Sequence, residues 1–193
     1  MISLSLHEVS PGHHTQSCYA QQLPLPRFRK KIDYRNIYSS PMLFPVYTAY
    51  CEGWAMYAED LGIEMGIYST PYELFGKLTD EMYRACRLVV DTGLHYFGWS
   101  KEMAIDYMAE NCMMTSHKIE NEINRYITWP GQACSYKIGQ MKIEELRKLA
   151  ENKLGSHFDI KVFHDMILNM SSVPLNVLDK HIKNWIELQS KKS

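Results

Sequence analysis

The sequence lacks long apolar runs and any excess of charge of one sign. No segment reaches the roughly 18 consecutive apolar residues that a membrane-spanning helix needs, and 21 basic side chains are balanced by 22 acidic ones. The net charge of −1 provides no global field that would attract nucleic acid or an anionic membrane. The chain also does not open with a basic segment followed by an apolar one, so we predict a cytoplasmic protein without a nucleic-acid partner or a membrane span.

Paired cysteines are also missing. The five cysteines are odd in number and widely separated, with no CxxC pair among them, which argues against a disulfide framework or a cysteine-type zinc site. What remains is an ordinary globular composition, because 46% of the 193 residues are hydrophobic and 22% are charged. This length and balance predict a single domain over residues 1–193.

The alternation of period two that is typical of strands is absent, whereas apolar residues recur at helical spacing. The clearest helix begins with the capping box Thr70-Pro71-Tyr72-Glu73. One face of it carries apolar or small residues at Leu74, Leu78, Met82, Ala85, Val89 and Gly93. The patterns predict an all-α protein with helices at 47–64, 71–97, after Ser100, and at 116–127, 132–154, 160–169 and 174–189. We interpret Pro24 to Pro45, which includes the basic run 27–31, as an irregular connector.

The densest chemical signal lies near the start of the chain, where His7, Glu8, His13 and His14 surround Pro11-Gly12. Neutral imidazoles bind zinc, and a neighbouring carboxylate is suited to accept a proton from an activated water. On one unbroken helix His7 and His13 would point to opposite sides, and His7 and His14 would lie about 10 Å apart along the axis. A shared metal ion therefore requires a break at Pro11-Gly12. The alternative is a surface histidine cluster beside a turn.

A third metal ligand would come from farther along the chain, and Glu52 is the best candidate. Gly53 beside it permits a close approach of another backbone. Glu59 and Asp60 follow one to two helical turns later, where a carboxylate is suited to orient a metal-bound histidine. The alternative for Glu52 is a solvated position on a helix.

Four motifs in order resemble the DUF885 family, whose function is unknown, over about residues 6–142. The motifs are His7-Glu8-x-x-Pro11-Gly12-His13-His14, Glu52-Gly53-Trp54-Ala55-x-Tyr57, Asp91-Thr92-Gly93-x-His95-x-x-Gly98-Trp99 and Arg125-Tyr126-Ile127-x-Trp129-Pro130-Gly131-Gln132-Ala133-x-Ser135-Tyr136-Lys137. Members of the family are similar to helical gluzincin-type zinc metallopeptidases, and full-length members are much longer. The resemblance therefore implies a Zn²⁺-dependent peptidase with a peptide substrate. It also implies that this sequence is a C-terminal catalytic portion without the N-terminal helical region.

Within that resemblance, His7 is the first zinc ligand, Glu8 the general base and Glu52 the third ligand. His13 is the second ligand, with His14 as the alternative. The later motifs add candidate residues for catalysis and substrate binding. Tyr136 or Tyr126 is a candidate donor to the carbonyl oxygen, His95 a further donor oriented by Asp91, and Arg125, Arg87 or Lys137 a candidate partner for a substrate carboxylate.

Two other hypotheses remain. The first is a non-catalytic helical module that binds zinc without turnover, with exposed apolar surface where further helices would pack or copies would associate. The second is a metallohydrolase that acts on another amide or ester.

Overall fold

The structure is a computed structural model that describes residues 2–30 and 47–191, and all regular structure in these ranges is helical. The helices are α1 Ile2–Glu8, α2 His13–Gln22, α3 Arg27–Lys30, α4 Thr48–Glu64, α5 Pro71–His95, α6 Lys101–Asn111, α7 Ser116–Thr128, α8 Gln132–Leu154, α9 Ile160–Leu168 and α10 Leu175–Ser190. The predicted all-α class is confirmed. The predicted connector lies mostly outside the described residues, and its described part includes the one-turn helix α3.

Local signals determine most helix ends. The predicted capping box at α5 is confirmed, because Thr70 accepts a hydrogen bond from the backbone of Glu73 and the Glu73 carboxylate accepts one from the backbone of Thr70. Ser100 caps α6 as Thr70 caps α5: its hydroxyl accepts a hydrogen bond from the backbone N–H of Met103. The α5 helix ends two residues before the predicted boundary, and Gly98 follows in the left-handed region with φ 69°.

The α4 helix crosses α8 at the centre of the molecule. Gly53 and Gly139 meet at the crossing, where a Cβ atom on Gly53 would lie 2.4 Å from the carbonyl carbon of Gly139. The close backbone approach predicted at Gly53 is therefore confirmed. Two apolar clusters flank the crossing. One joins α4, α8, α9 and α10 and includes Trp54, Leu146, Phe163 and Ile182, and the other joins α5, α6 and α7 and includes Val90, Met108 and Ile123.

The α5 helix is present as predicted, but its apolar stripe does not face the core. Leu74, Leu78, Met82 and Val89 are 36%, 50%, 53% and 36% exposed. The inward face combines apolar residues such as Val90 with charged side chains such as Lys77, which forms ion pairs with Asp60 of α4 and with Glu81 of α5. Among the described residues, no helix combines the length and the apolar character that crossing a membrane requires.

Candidate metal centre

The chain reverses direction between α1 and α2. Gly12 lies directly against the end of α1, where a Cβ atom at Gly12 would come within 1.8 Å of the carbonyl oxygen of His7. The indole N–H of Trp54 donates a 2.9 Å hydrogen bond to the carbonyl of Pro11 and ties the turn to α4. The reversal brings His13, the first residue of α2, back to His7, and the two ring centroids are 4.9 Å apart. The break required at Pro11-Gly12 is therefore present.

Glu52 of α4 faces both imidazoles. Its Oε2 atom lies 3.4 Å from Nε2 of His7 and 3.3 Å from Nε2 of His13, and ligand atoms of the three residues all lie within 4.8 Å of one another. Ligand atoms around a tetrahedral zinc ion, with bonds of about 2.1 Å, are separated by about 3.4 Å. The observed spacing therefore fits such an ion. His14 lies outside this group, with its exposed ring against the thiol of Cys18.

The orientation of His7 is determined by a buried carboxylate. Glu59, which follows Glu52 by about two turns of α4 and is only 1% exposed, accepts a 2.7 Å hydrogen bond from Nδ1 of His7 and a second bond from the hydroxyl of Ser3. Because Nδ1 carries the hydrogen, Nε2 is directed toward Glu52. Sequence reasoning anticipated Glu59 but missed Ser3. The sequence spacing could have indicated Ser3, because it precedes His7 by four residues and therefore lies on the same face of α1 as His7.

The electrostatics of the site favour a positive charge between the carboxylates. Burial by itself lowers the pKa of His7, but hydrogen bonds to Glu52 and Glu59 outweigh burial and raise this pKa to about 9. Burial raises the pKa of Glu52, and the hydrogen bonds from His13 and His7 outweigh it and bring this pKa to about 2. A divalent cation at these atoms would take the place of the proton on His7.

Glu8, the predicted general base, is exposed and lines a cavity of about 350 Å³ together with His13 and Glu52. It follows His7 directly at the end of α1. Glu8 is therefore an exposed residue on the wall of a cavity that two of the candidate ligands also line.

Tyr136 of α8 borders the centre from the other side. Its ring is nearly parallel to that of His7, with centroids 6.3 Å apart, and the guanidinium carbon of Arg87 lies 4.0 Å from its centroid. The side-chain amide of Gln132 donates to the Tyr136 hydroxyl at 3.4 Å. The carbonyl oxygen of the same amide accepts bonds from Arg87 at 3.3 Å and from Arg125 at 2.8 Å. Gln132 belongs to a quoted motif, yet sequence reasoning assigned it no role.

Of the side chains predicted to bind substrate, Arg87 and Tyr126 are buried and Arg125 is partly exposed. Arg87 is 2% exposed and Tyr126 is 1% exposed. Arg125 pairs with Glu122 at 2.6 Å, and the hydroxyl of Tyr126 donates to that of Tyr83. Through these contacts, Arg87, Arg125 and Tyr126 help to hold the ring of Tyr136 in position.

His95 lies apart from the metal-ligand group, at the last residue of α5. Its Nε2 atom lies 2.9 Å from the carbonyl oxygen of Tyr126. Asp91 does not orient His95 as we expected, because both of its carboxylate oxygens accept hydrogen bonds from the backbone N–H of Gly131, at 3.0 and 3.1 Å. Lys137, another candidate for a substrate carboxylate, forms a 2.6 Å ion pair with Glu81.

Two solved structures are similar to almost the whole chain. "The putative lipoprotein from Colwellia psychrerythraea" has 39% sequence identity and a TM-score of 0.82 over 96% of this chain. "A putative lipoprotein of unknown function from Shewanella oneidensis" has 26% identity and a TM-score of 0.77 over 95%. The chain spans only 30% and 31% of the length of these two proteins.

No curated protein matches the chain. The family described as "Bacterial protein of unknown function (DUF885)" matches residues 1–182, which is nearly the entire sequence. The four motifs that suggested this family include the site residues His7, His13, Glu52 and Tyr136. The chain belongs to the DUF885 family.

Proposed function

We propose that this chain carries the catalytic centre of a zinc-dependent peptidase. The observation that supports this most directly is the arrangement of His7, His13 and Glu52, whose facing atoms are 3.3 and 3.4 Å apart. A set of two histidines and one glutamate with a free fourth position is the ligand set of many catalytic zinc sites in peptidases. The carboxylate of Glu59 behind His7 adds the outer partner that such sites use to hold a ligand in place.

The two histidines and Glu52 would hold the ion, which when bound supplies polarisation of the scissile carbonyl and a more acidic water. Glu8 accepts a proton from the attacking water and passes it to the amine that leaves. Its place on the wall of the same cavity as His13 and Glu52 supports this role.

Tyr136 donates a hydrogen bond to the carbonyl oxygen as negative charge develops there. The direction of this bond follows from Gln132. Because Arg87 and Arg125 both donate to the oxygen of the Gln132 amide, its nitrogen faces the Tyr136 hydroxyl. The phenolic oxygen therefore acts as the acceptor toward Gln132, and the hydrogen of Tyr136 remains available for the substrate.

The second candidate function is zinc binding without turnover. Two observations favour it: the exposed apolar stripe of α5, and the length of the chain, which is about a third of that of the two similar structures. The regions of these longer proteins that this chain does not span would then contribute part of the active cleft. The cytoplasmic location stays a prediction, and the two similar structures, both named as lipoproteins, do not support it.

Metal analysis of the purified chain tests the centre. We expect about one zinc ion per chain, lost in His7→Ala and in His13→Ala. The matched control is His14→Ala, which should keep the ion because the His14 ring lies against Cys18. Unchanged zinc content in both His7→Ala and His13→Ala would end the metal-site proposal.

Hydrolysis of a mixed peptide library by the zinc-loaded chain tests the chemistry. Glu8→Gln should retain zinc and lose about 10²–10⁴-fold in rate, because it removes only the proton acceptor. Full activity in Glu8→Gln would show that Glu8 is not the base. Zinc retention without turnover in the unmodified chain would instead establish the second candidate function.

A further inference from the structure

The cavity beside Glu8, His13 and Glu52 has a second, cationic part. Arg29 and Lys30 of α3 line it together with the buried serines Ser171 and Ser172. The acidic side chains that line the cavity, Glu8 and Glu52, lie at or next to the metal centre, and the basic ones, Arg29 and Lys30, come from α3. A ligand that extends from the metal centre into this cavity therefore reaches the basic side chains of α3.

Arg29 is held in place by the segment between α9 and α10. Its guanidinium donates to the carbonyl of Met170, and the hydroxyl of Ser171 donates to the backbone carbonyl of Arg29 at 3.1 Å. Neither Arg29 nor Lys30 forms an ion pair with another described residue, and the ammonium of Lys30 contacts only the carbonyl oxygen of Gln21, at 3.4 Å, in these ranges. Two positive charges therefore line the cavity without a carboxylate partner within residues 2–30 and 47–191.

A buried amide on the same wall points to a hydrogen-bond acceptor in the cavity. Gln16 of α2 is 8% exposed, and its side-chain nitrogen has no hydrogen-bond partner of normal geometry among the described residues. A buried amide donor without a partner costs free energy, so an acceptor group on a ligand in this cavity would relieve that cost.

We propose that this part of the cavity, the carboxylate subsite lined by Gln16, Arg29 and Lys30, binds the C-terminal carboxylate of a peptide substrate. The inference rests on the proposed peptidase function and specifies it as carboxypeptidase action. Arg29 and Lys30 are the basic side chains that line the cavity, and an arginine fork binds a carboxylate at two points. A volume of about 350 Å³ is near the lower end of the range of roughly 300–1,000 Å³ that is usual for ligand sites. A cavity of this size suits the C-terminal end of a peptide.

In the reaction, the C–N bond of the last peptide linkage breaks and a C–O bond forms with the oxygen of water. One proton of the water passes through Glu8 to the leaving amine. The products are the shortened peptide and the free C-terminal amino acid, which keeps its original carboxylate against Arg29 and Lys30.

The kinetic test compares two N-acylated dipeptides that differ only in a free or an amidated C-terminus. We expect the free acid to be cleaved with about 10- to 100-fold higher kcat/KM, the range of one or two charge-assisted hydrogen bonds. Arg29→Gln and Lys30→Gln should each raise KM for the acid about tenfold with little change in kcat. Arg29→Lys should restore part of the affinity. The matched control Lys153→Gln removes an exposed charge at the far end of α8 and should change neither parameter.

Calorimetric titration of the Glu8→Gln chain with the same two dipeptides gives a readout that needs no turnover. The acid should bind about tenfold tighter than the amide, and Arg29→Gln should remove the difference. Equal binding of acid and amide by a chain that hydrolyses peptides would overturn the carboxylate subsite and leave the peptidase intact. Selective binding of the acid without hydrolysis in the unmodified chain would support the subsite and contradict the peptidase.

Discussion

The helices α4 and α5 differ in how their sequences relate to their surroundings. In α4, ten of 17 residues are buried, and its aromatic, alanine and methionine side chains are covered on nearly every side. In α5, only six of 25 residues are buried, and three of these are Lys77, Arg87 and Asp91. The most regular apolar stripe in the sequence, on α5, faces outward, whereas α4 has no single apolar stripe and lies at the centre.

The difference shows that an apolar stripe identifies a helix more securely than it identifies the side that packs inward. The inward side of α5 is determined by partners on other helices: Asp60 of α4 for Lys77, Gln132 of α8 for Arg87 and the backbone of Gly131 for Asp91. Buried charges of this kind are tolerated only when they are paired or hydrogen-bonded. Neither helix reveals these partners in its own sequence.

The largest expected effect is at the crossing of α4 and α8. Gly53→Ala should destabilise the chain by about 3 kcal/mol or more, because the added methyl group would lie 2.4 Å from the backbone of Gly139, which cannot move without separating the helices. Gly76→Ala on α5 is the matched control. Nothing lies within 4 Å of a Cβ atom there, so alanine should stabilise the helix by up to about 1 kcal/mol. Urea unfolding of both variants measures the contrast, and a similar effect at the two sites would contradict it.

Truncation of a leucine to alanine should destabilise the chain much more in the buried core next to α4 than on the outward stripe of α5. This difference in stability is smaller than the one between the two glycine variants. Leu146→Ala removes a side chain of α8 that is 0% exposed beneath α4, and we expect a loss of about 3 kcal/mol. Leu78→Ala acts on the outward stripe of α5, where the side chain is 50% exposed, and should change stability by no more than about 0.5 kcal/mol. Thermal unfolding compares them. A cost at Leu78 equal to that at Leu146 would show that the α5 stripe is covered in solution.

The smallest effect concerns the aromatic wall of α4. His164 of α9 hydrogen-bonds the hydroxyl of Tyr57 at 2.9 Å and contacts Trp54, and burial together with the nearby charge of Arg147 lowers its pKa from 6.5 to about 4. Because the unfolded chain binds a proton at this residue more readily than the folded chain, stability is complete above pH 6.5 and falls as the pH drops toward 4. The loss should reach about 2 kcal/mol, which allows for partial exposure of the ring.

The measurement is the free energy of unfolding of the original chain and of His164→Gln between pH 7 and pH 4. The variant should show a flatter decline than the original chain, because glutamine does not titrate. Parallel curves for the two proteins would show that His164 titrates normally in the fold.

For the candidate site, the sequence motifs selected the three candidate metal ligands but not their arrangement. The motifs singled out His7, His13, His14 and Glu52, and the α1–α2 reversal at Gly12 placed His13 rather than His14 beside Glu52. The positions of Gln132 and Arg29 could not be predicted. Their roles depend on contacts with Arg87, Tyr136 and Met170, which lie on other elements.

The sequence by itself determined the helical class and most helix ends from α4 onward, because capping, helical spacing and the turns at glycine act between residues only a few positions apart. Only the tertiary structure decided which side of α5 is buried and which imidazole joins Glu52. Those outcomes depend on pairs far apart in the chain, such as His13 with Glu52 over 39 residues and His7 with Glu59 over 52. The packing of α1, α2 and α4 brings these pairs together, and no local propensity encodes it.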